Sequence, residues 1–205
     1  KAFPQNTYFL LNSLPDSCRY AREAAEELGL HTVILSSFLE GEAADAGTVL
    51  ASIAREIQQY GHPVQAPCVL LASGEVTTKI LDNSAIQGHG GPGQELTTAF
   101  AIAARNTPGC ALLSIDSEGT DGTTPAAGGL TDSQTLQAAE ERGADLHAAL
   151  RGHACYEALS ALGDAVLTGN TGTNPCDLHI LYVPAIKPAG PKIRQNGRTT
   201  GRERE

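Results

Sequence analysis

The stretch Asp116-Ser-Glu-Gly-Thr-Asp-Gly-Thr-Thr-Pro-Ala-Ala-Gly-Gly129 decides how this chain is read. It follows Ala111-Leu-Leu-Ser-Ile115, an apolar run with the composition of a buried strand. Asp116, Glu118 and Asp121 fall within six residues, interleaved with glycines and hydroxyls. A loop that only turned would need none of this. A loop holding a metal and phosphates beside a strand end needs hard oxygen ligands and an unobstructed backbone. The plainer use of the same residues is to cap turns and the next helix.

Two further loops share this character. Gly88-His-Gly-Gly-Pro-Gly-Gln-Glu95 opens a helical pattern, and Thr168-Gly-Asn-Thr-Gly-Thr-Asn-Pro-Cys-Asp177 lies between two strand-like runs. Each follows an apolar segment, and ligands of open α/β sheets collect outside the carboxyl ends of strands. The run Gly90-Gly-Pro-Gly93 suits an anion nest at a helix start, yet it lacks the Lys-Ser/Thr ending of a P-loop and is not G-x-G-x-x-G. A flexible turn capped by Gln94 or Glu95 explains it equally well. Thr171, Thr173, Asn174 and Asp177 offer hydroxyl, amide and carboxylate groups beside Gly172 for a polar substrate or a phosphate; a hydrogen-bonded loop is the alternative. Glu75 adds a carboxylate just past another apolar run. His153 is read as a helix cap or a partly buried imidazole rather than a catalytic base. The other histidines form no ligand spacing, so zinc is not expected.

The rest of the chain supplies a sheet to carry these loops. Tyr8–Leu11, Thr32–Ser36, Cys68–Ala72, Ala111–Ile115, Asp164–Thr168 and Leu178–Val183 read as strands. Ala21, Ala24, Ala25 and Leu28 mark a first helix, capped by Asp16 or Ser17 and ended by Gly29. Ala46, Val49, Leu50, Ile53, Ala54 and Ile57 mark a second, ended at Gly61. Leu96, Ala99, Phe100 and Ala103 mark a third, and residues 133–142 and 154–162 read as helical. This rhythm predicts an α/β fold with a mostly parallel sheet flanked by helices. The two last strands are expected to be antiparallel neighbours, because their link carries no helix. Residues 62–90, rich in Pro and Gly, are a plausible junction, with a first unit over 1–66 and a second over 67–185; one continuous sheet is the alternative.

Composition narrows the function. The net charge of −9 disfavours nucleic acid as a partner, and 4% aromatics leave little for base stacking. Five scattered cysteines without a C-x-x-C pair read as reduced thiols, and the expected location is cytoplasmic, with no membrane span. Residues 186–205, basic and nearly without apolar groups, read as a disordered tail, with a basic binding arm as the alternative. A chain that opens Lys-Ala-Phe-Pro and holds no Met is read as a fragment of something longer.

Taken in order, Ser73-Gly-Glu75, Gly90-Gly-Pro-Gly-Gln-Glu95, Glu118-Gly-Thr-Asp-Gly122 with Ala126-Ala-Gly128, Leu162-Gly-Asp164, and Thr171-Gly-Thr-Asn174 with Asp177 resemble the C-terminal part of glycerate 2-kinases, the family with the MOFRL domain, often labelled hydroxypyruvate reductase. The match runs over about residues 70–184. More loosely, residues 8–70, including Leu39-Glu-Gly-Glu42, resemble the end of the family's Rossmann-like N-terminal domain. The resemblance implies ATP-dependent phosphorylation of D-glycerate at its 2-hydroxyl with Mg²⁺, in a cleft between two α/β domains. It implies Glu118 and Asp121 as metal ligands and, with Asn174, as catalytic groups. It implies Gly90, Gly91, Gly93, Gln94, Glu95, Gly119, Thr120, Gly122, Thr171, Gly172 and Thr173 as binders of the nucleotide. The chain departs from the family at Pro92, where many relatives have Arg, at Ala154, where Asp is frequent, and at Asn12-Ser-Leu14, where Gly-Ser-Asn is usual. Most of the N-terminal domain, with its candidate catalytic Lys, is absent. The implied partners are therefore D-glycerate, ATP and either the missing domain or a second copy. The alternatives are a hydroxypyruvate reductase, which is disfavoured because no dinucleotide fingerprint follows a strand, and a non-catalytic remnant that binds a sugar acid or a nucleotide, or only a partner chain.

Overall fold

The computed structural model describes residues 5–7, 9 and 13–186. The expected first strand at 8–11, apart from Phe9, and the basic segment after Ile186 lie outside the described residues.

Helix α1 spans Leu14–Glu27, one turn earlier than a cap at Asp16 or Ser17 predicts. Ser13 is its N-cap and Pro15 sits in its first turn, where a missing N–H is harmless. Strand β1, Thr32–Glu42, runs on through Leu39-Glu-Gly-Glu42. Helix α2, Ala43–Tyr60, carries the expected apolar stripe and stops at Gly61, whose φ of 72° suits glycine. Strand β2, Cys68–Thr77, extends past Glu75. Helix α3, Pro92–Ala104, precedes strand β3, Ala111–Asp116. Strand β4, Gly128–Asp132, follows, and then helices α4, Thr135–Glu141, α5, Leu146–Arg151, and α6, Cys155–Leu162. Strands β5, Ala165–Val166, and β6, Asp177–Val183, complete the sheet.

The α/β class and the flanking helices are as expected; the pairing is not mostly parallel. The order is β1-β2-β6-β3-β4-β5, and among the described residues only the β1–β2 pair runs parallel. All other neighbours are antiparallel. The reason is the length and content of the links. A parallel neighbour needs a crossover, which α2 supplies between β1 and β2. The link from β3 to β4 has no helix and closes a hairpin, and β6 enters between β2 and β3 from the opposite end. β5 and β6 are accordingly not neighbours: β5 pairs with β4, while β6 pairs with β2 and β3. Pro63 and Pro67 lie between α2 and β2, and β1 on one side of them pairs with β2 on the other.

One sheet face holds the main core. Cys68, Leu70, Val76, Leu112, Leu181 and Val183 meet Leu50, Ala54 and Ile57 of α2 and Leu96, Phe100 and Ala104 of α3. The other face buries Val69 and Leu71 under Cys18 of α1. A smaller cluster of Ala101, Leu136, Ala139 and Leu146 fastens α4 and α5 to α3. β1 and β2 approach so closely that a Cβ on Gly74 would drive into the Leu39 carbonyl. Gly74→Ala is therefore expected to destabilise the protein by about 2–3 kcal/mol, because backbone rather than a flexible side chain must move. Urea unfolding measures this directly, and a change below about 0.5 kcal/mol would contradict the packing described.

The pairing has one consequence for function. β1, β2, β3 and β5 run one way, so the loops after β2, β3 and β5 all emerge at one end of the sheet. Asp177, at the start of β6, lies at that same end.

Candidate functional site

The loop after β3 is held by its own first residue. Asp116 Oδ1 accepts the Glu118 N–H at 2.9 Å, and the Asp116 carbonyl accepts the Gly119 N–H at 3.1 Å. Gly119 has φ 99°, and a Cβ there would run into the Gly169 carbonyl, so this glycine lets the loops after β3 and β5 touch. Where they touch, Glu118 Oε2 accepts from Asn174 Nδ2 at 3.0 Å and Oε1 accepts from the Thr120 hydroxyl at 3.1 Å. The Thr171 N–H donates to the Glu118 carbonyl at 3.1 Å, and the Thr171 hydroxyl donates to the Ser117 carbonyl. Gly172 N–H bonds Asn170 Oδ1 and Thr173 N–H points to the Thr171 hydroxyl, which folds the tip of the third loop. Glu118, Thr120, Thr171, Gly172, Thr173 and Asn174 thus form one polar, solvent-facing patch.

Asp121 stands apart from it in role. It is 3% exposed, and its Oδ1 and Oδ2 accept the N–H groups of Gly93 and Gln94 at 3.2 and 2.8 Å. The helix start expected to hold a phosphate therefore already holds an anion, the carboxylate of Asp121. An N-terminus with unpaired amides and partial positive charge favours such a partner. Gln94 is buried as well; its Nε2 donates to the Thr124 hydroxyl at 2.8 Å. Gly90 and Gly91 are packed against the acidic loop: a Cβ on Gly122 would strike the Gly90 carbonyl, and one on Gly91 the Asp121 carboxylate. Read from Gly88, this loop does carry the spacing G-x-G-x-x-G. Its geometry differs from a dinucleotide turn: ten residues separate it from the end of β2, and Asp121 occupies the amides of its helix.

Beneath the patch, polar groups replace the apolar core. Asp116 and Asp177 face each other across β3 and β6, and one step inward Ser114 faces His179. The Ser114 hydroxyl and His179 Nδ1 are 2.8 Å apart, and His179 is 1% exposed. Burial pushes its pKa down to about 4, so it stays neutral. Sequence reading missed this pair, although His179 alternates with the inward residues Leu181 and Val183. Asp177 is pushed up to about 7 by burial and then by the charges of Asp116 and Asp121. Burial raises Asp121 to about 6 against the pull of its two amide donors. Burial raises Asp116 too. Among the described residues no ion pair involves any of these carboxylates.

Both raised carboxyls have the same thermodynamic sign. Between their ordinary value of 3.8 and their folded values the native state binds more protons than the unfolded state. Their contribution to stability therefore falls as pH rises through that window. Asp177→Asn is expected to stabilise the chain at pH 8 by about 1–3 kcal/mol and to flatten its stability between pH 5 and 8. Urea midpoints at the two pH values measure this; equal slopes for the variant and the parent would refute the buried, charged Asp177.

His153 does not cap α6; Ala154 is the N-cap residue. Its φ is 51°, and its Nδ1 lies 2.7 Å from Oε1 of Glu95, which is 3% exposed. Glu95, expected among the nucleotide binders, thus points to this imidazole. Among the described residues no three His, Cys, Asp or Glu side chains are arranged to hold a metal ion unaided, and no helix is long and apolar enough to cross a membrane.

Comparison with known proteins agrees with this architecture. The sequence model of the MOFRL family matches residues 68–177. The glycerate 2-kinase of Pyrococcus horikoshii is 39% identical over 85% of this chain and 39% of its own length. A putative hydroxypyruvate reductase of Agrobacterium vitis is 37% identical over 80% of this chain and 37% of its own. The crystal structure of glycerate kinase from Thermotoga maritima superposes with a TM-score of 0.81 at 34% identity, covering 85% of this chain and 41% of that one. The chain thus spans about two fifths of the length of these relatives.

Proposed function

The chain belongs to the MOFRL family, and from that membership we propose that it is the metal- and phosphate-binding part of a glycerate 2-kinase, transferring phosphate from ATP to the 2-hydroxyl of D-glycerate with Mg²⁺. In this reading residues 1–66 end an N-terminal α/β domain and 67–185 form the MOFRL-type unit. The rest of the N-terminal domain, or a second copy, completes the cleft.

One observation carries the proposal. The loops after β3 and β5 join through Glu118 and Asn174 at the end of a sheet where several carboxylates have no cation partner among the described residues. Mg²⁺ commonly takes one or two carboxylates and fills its octahedron with phosphate oxygens and waters, so an incomplete protein cage fits it. Glu118 would hold it, with Asp116 behind. When bound, the ion supplies neutralisation of the phosphate oxygens. The chain does the rest. Asn174 and Thr120 fix the Glu118 carboxylate, the Thr171 hydroxyl and the Gly172 and Thr173 amides hold the neighbouring loop in shape, and the Thr173 hydroxyl is left at the rim. Asp121 sets the start of α3 and so the distance of the Gly90–Gly91 turn from this patch.

Incubation with Mg-ATP and D-glycerate, followed by ³¹P NMR, tests the proposal. Appearance of 2-phosphoglycerate supports it. Oxidation of NADH with hydroxypyruvate and no phosphate ester would sink it in favour of the reductase.

A further inference from the structure

The Glu95–His153 pair belongs to no step described so far, and three features set it apart from a packing contact. The histidine sits in the left-handed backbone region, which a bulky residue adopts only when its surroundings hold it there. Its Nδ1 is fixed by a buried carboxylate from the first turn of α3, 2.7 Å away. With Glu95 as carboxylate and the ring neutral, Nδ1 is the donor of this contact and Nε2 keeps its lone pair. That Nε2 has no partner among the described residues, yet it is not one of their buried, unsatisfied polar atoms, so solvent reaches it. The His153 turn is linked to the acidic loop through a single glycine turn. The Gly88–Gly91 turn lies between the His153 turn and the acidic loop: Gly90 packs on the His153 carbonyl and the Cys155 amide, and Gly91 packs on Asp121. The Glu42 carboxylate at the end of β1 acts on Glu95 across the pair, and on the neighbouring turn His89 Nδ1 lies 2.7 Å from Glu157 Oε1.

We propose that Nε2 of His153 is the proton acceptor for the hydroxyl that is phosphorylated, and that Glu95 is its positioning residue. The inference rests on the kinase reading. The substrate oxygen bonds to the terminal phosphorus of a nucleoside triphosphate, and the bond from that phosphorus to the bridging oxygen breaks. The hydroxyl proton passes to Nε2, and the imidazolium later returns it to water. The substrate class is a small hydroxy acid, whose alcohol needs such an acceptor at neutral pH.

Two measurements test this. The first uses the 205-residue chain with ¹⁵N-labelled histidine. The neutral ring of His153 is expected as the Nδ1–H tautomer, shifting toward a mixture in Glu95→Gln. A ring protonated at Nε2, or one indifferent to Glu95→Gln, overturns the proposal. The second follows phosphoryl transfer in His153→Gly, since glycine keeps the left-handed backbone and opens room for free imidazole. Turnover is expected to fall about 10²–10⁴-fold and to recover with added imidazole. An unchanged rate, or a loss that imidazole does not repair, overturns it. Turnover is read on the chain supplied with a relative's N-terminal domain: no turnover by that wild-type assembly fails the kinase reading itself, whereas turnover that His153→Gly leaves intact overturns only the role of His153.

Discussion

Glu118→Gln is expected to lower phosphoryl transfer by about two to three orders of magnitude, the size of one lost electrostatic contact to a transition state, while leaving stability within about 0.5 kcal/mol. The substitution removes the charge and little else. Glutamine keeps an oxygen for Asn174 or Thr120, so the contact between the loops after β3 and β5 survives. Glu118 is partly solvent-exposed and lies in no ion pair among the described residues, so little packing depends on it. Its charge is the one feature that structure does not need and a metal–phosphate complex does. Steady-state rates with Mg-ATP and D-glycerate, taken beside a urea unfolding curve, separate the two effects. A variant that retains full turnover would remove Glu118 from the chemistry.

Asp121→Ala is expected to give the opposite pattern, a stability loss of about 2–4 kcal/mol. The carboxylate satisfies the amides of Gly93 and Gln94 in a buried setting. Truncation leaves both donors unpaired under the first turn of α3, and each unsatisfied buried group costs about 1–3 kcal/mol. Part of this is offset, because burial already strains the charged form and lifts its pKa to about 6. Asp121→Asn, which keeps one acceptor, is expected to lie between the two. Leu96 and Phe100 stand on the same helix at the centre of the core, so a shifted α3 start spreads through the sheet. Thermal unfolding measures this as a drop of about 5–12 °C for a chain of this size. A Tm unchanged in Asp121→Ala would mean that other groups already satisfy the amides.

Much of the scaffold was legible from residue order because its signals are local. Ala46 through Ile57 repeat at helical spacing, and Gly61 ends α2 for a reason visible in one residue. β4 was not legible. Gly128 and Gly129 look like loop, yet a Cβ on Gly129 would meet Thr97 and Leu159, so the strand is glycine because α3 and α6 press on it. The entry of β6 between β2 and β3 is a pairing between distant segments, and nothing within seven residues encodes it.

The candidate site divides in the same way. Its loops were recognisable by composition, and the structure sets all three at one end of the sheet. The different roles of Glu118 and Asp121 were hidden, since two carboxylates three residues apart in a loop carry no period that says which turns inward. The Glu95–His153 pair joins residues 58 positions apart, and His153 gave no sign that its backbone would turn left-handed.

The central claim is that the joined loops after β3 and β5 hold a metal–nucleotide complex. Calorimetric titration of the folded chain with Mg-ATP at low salt tests it most directly. The account predicts saturable binding that disappears without Mg²⁺ and in Glu118→Gln, with Asp177→Asn still folded. No heat from the wild-type chain, or equal binding by Glu118→Gln, would contradict it.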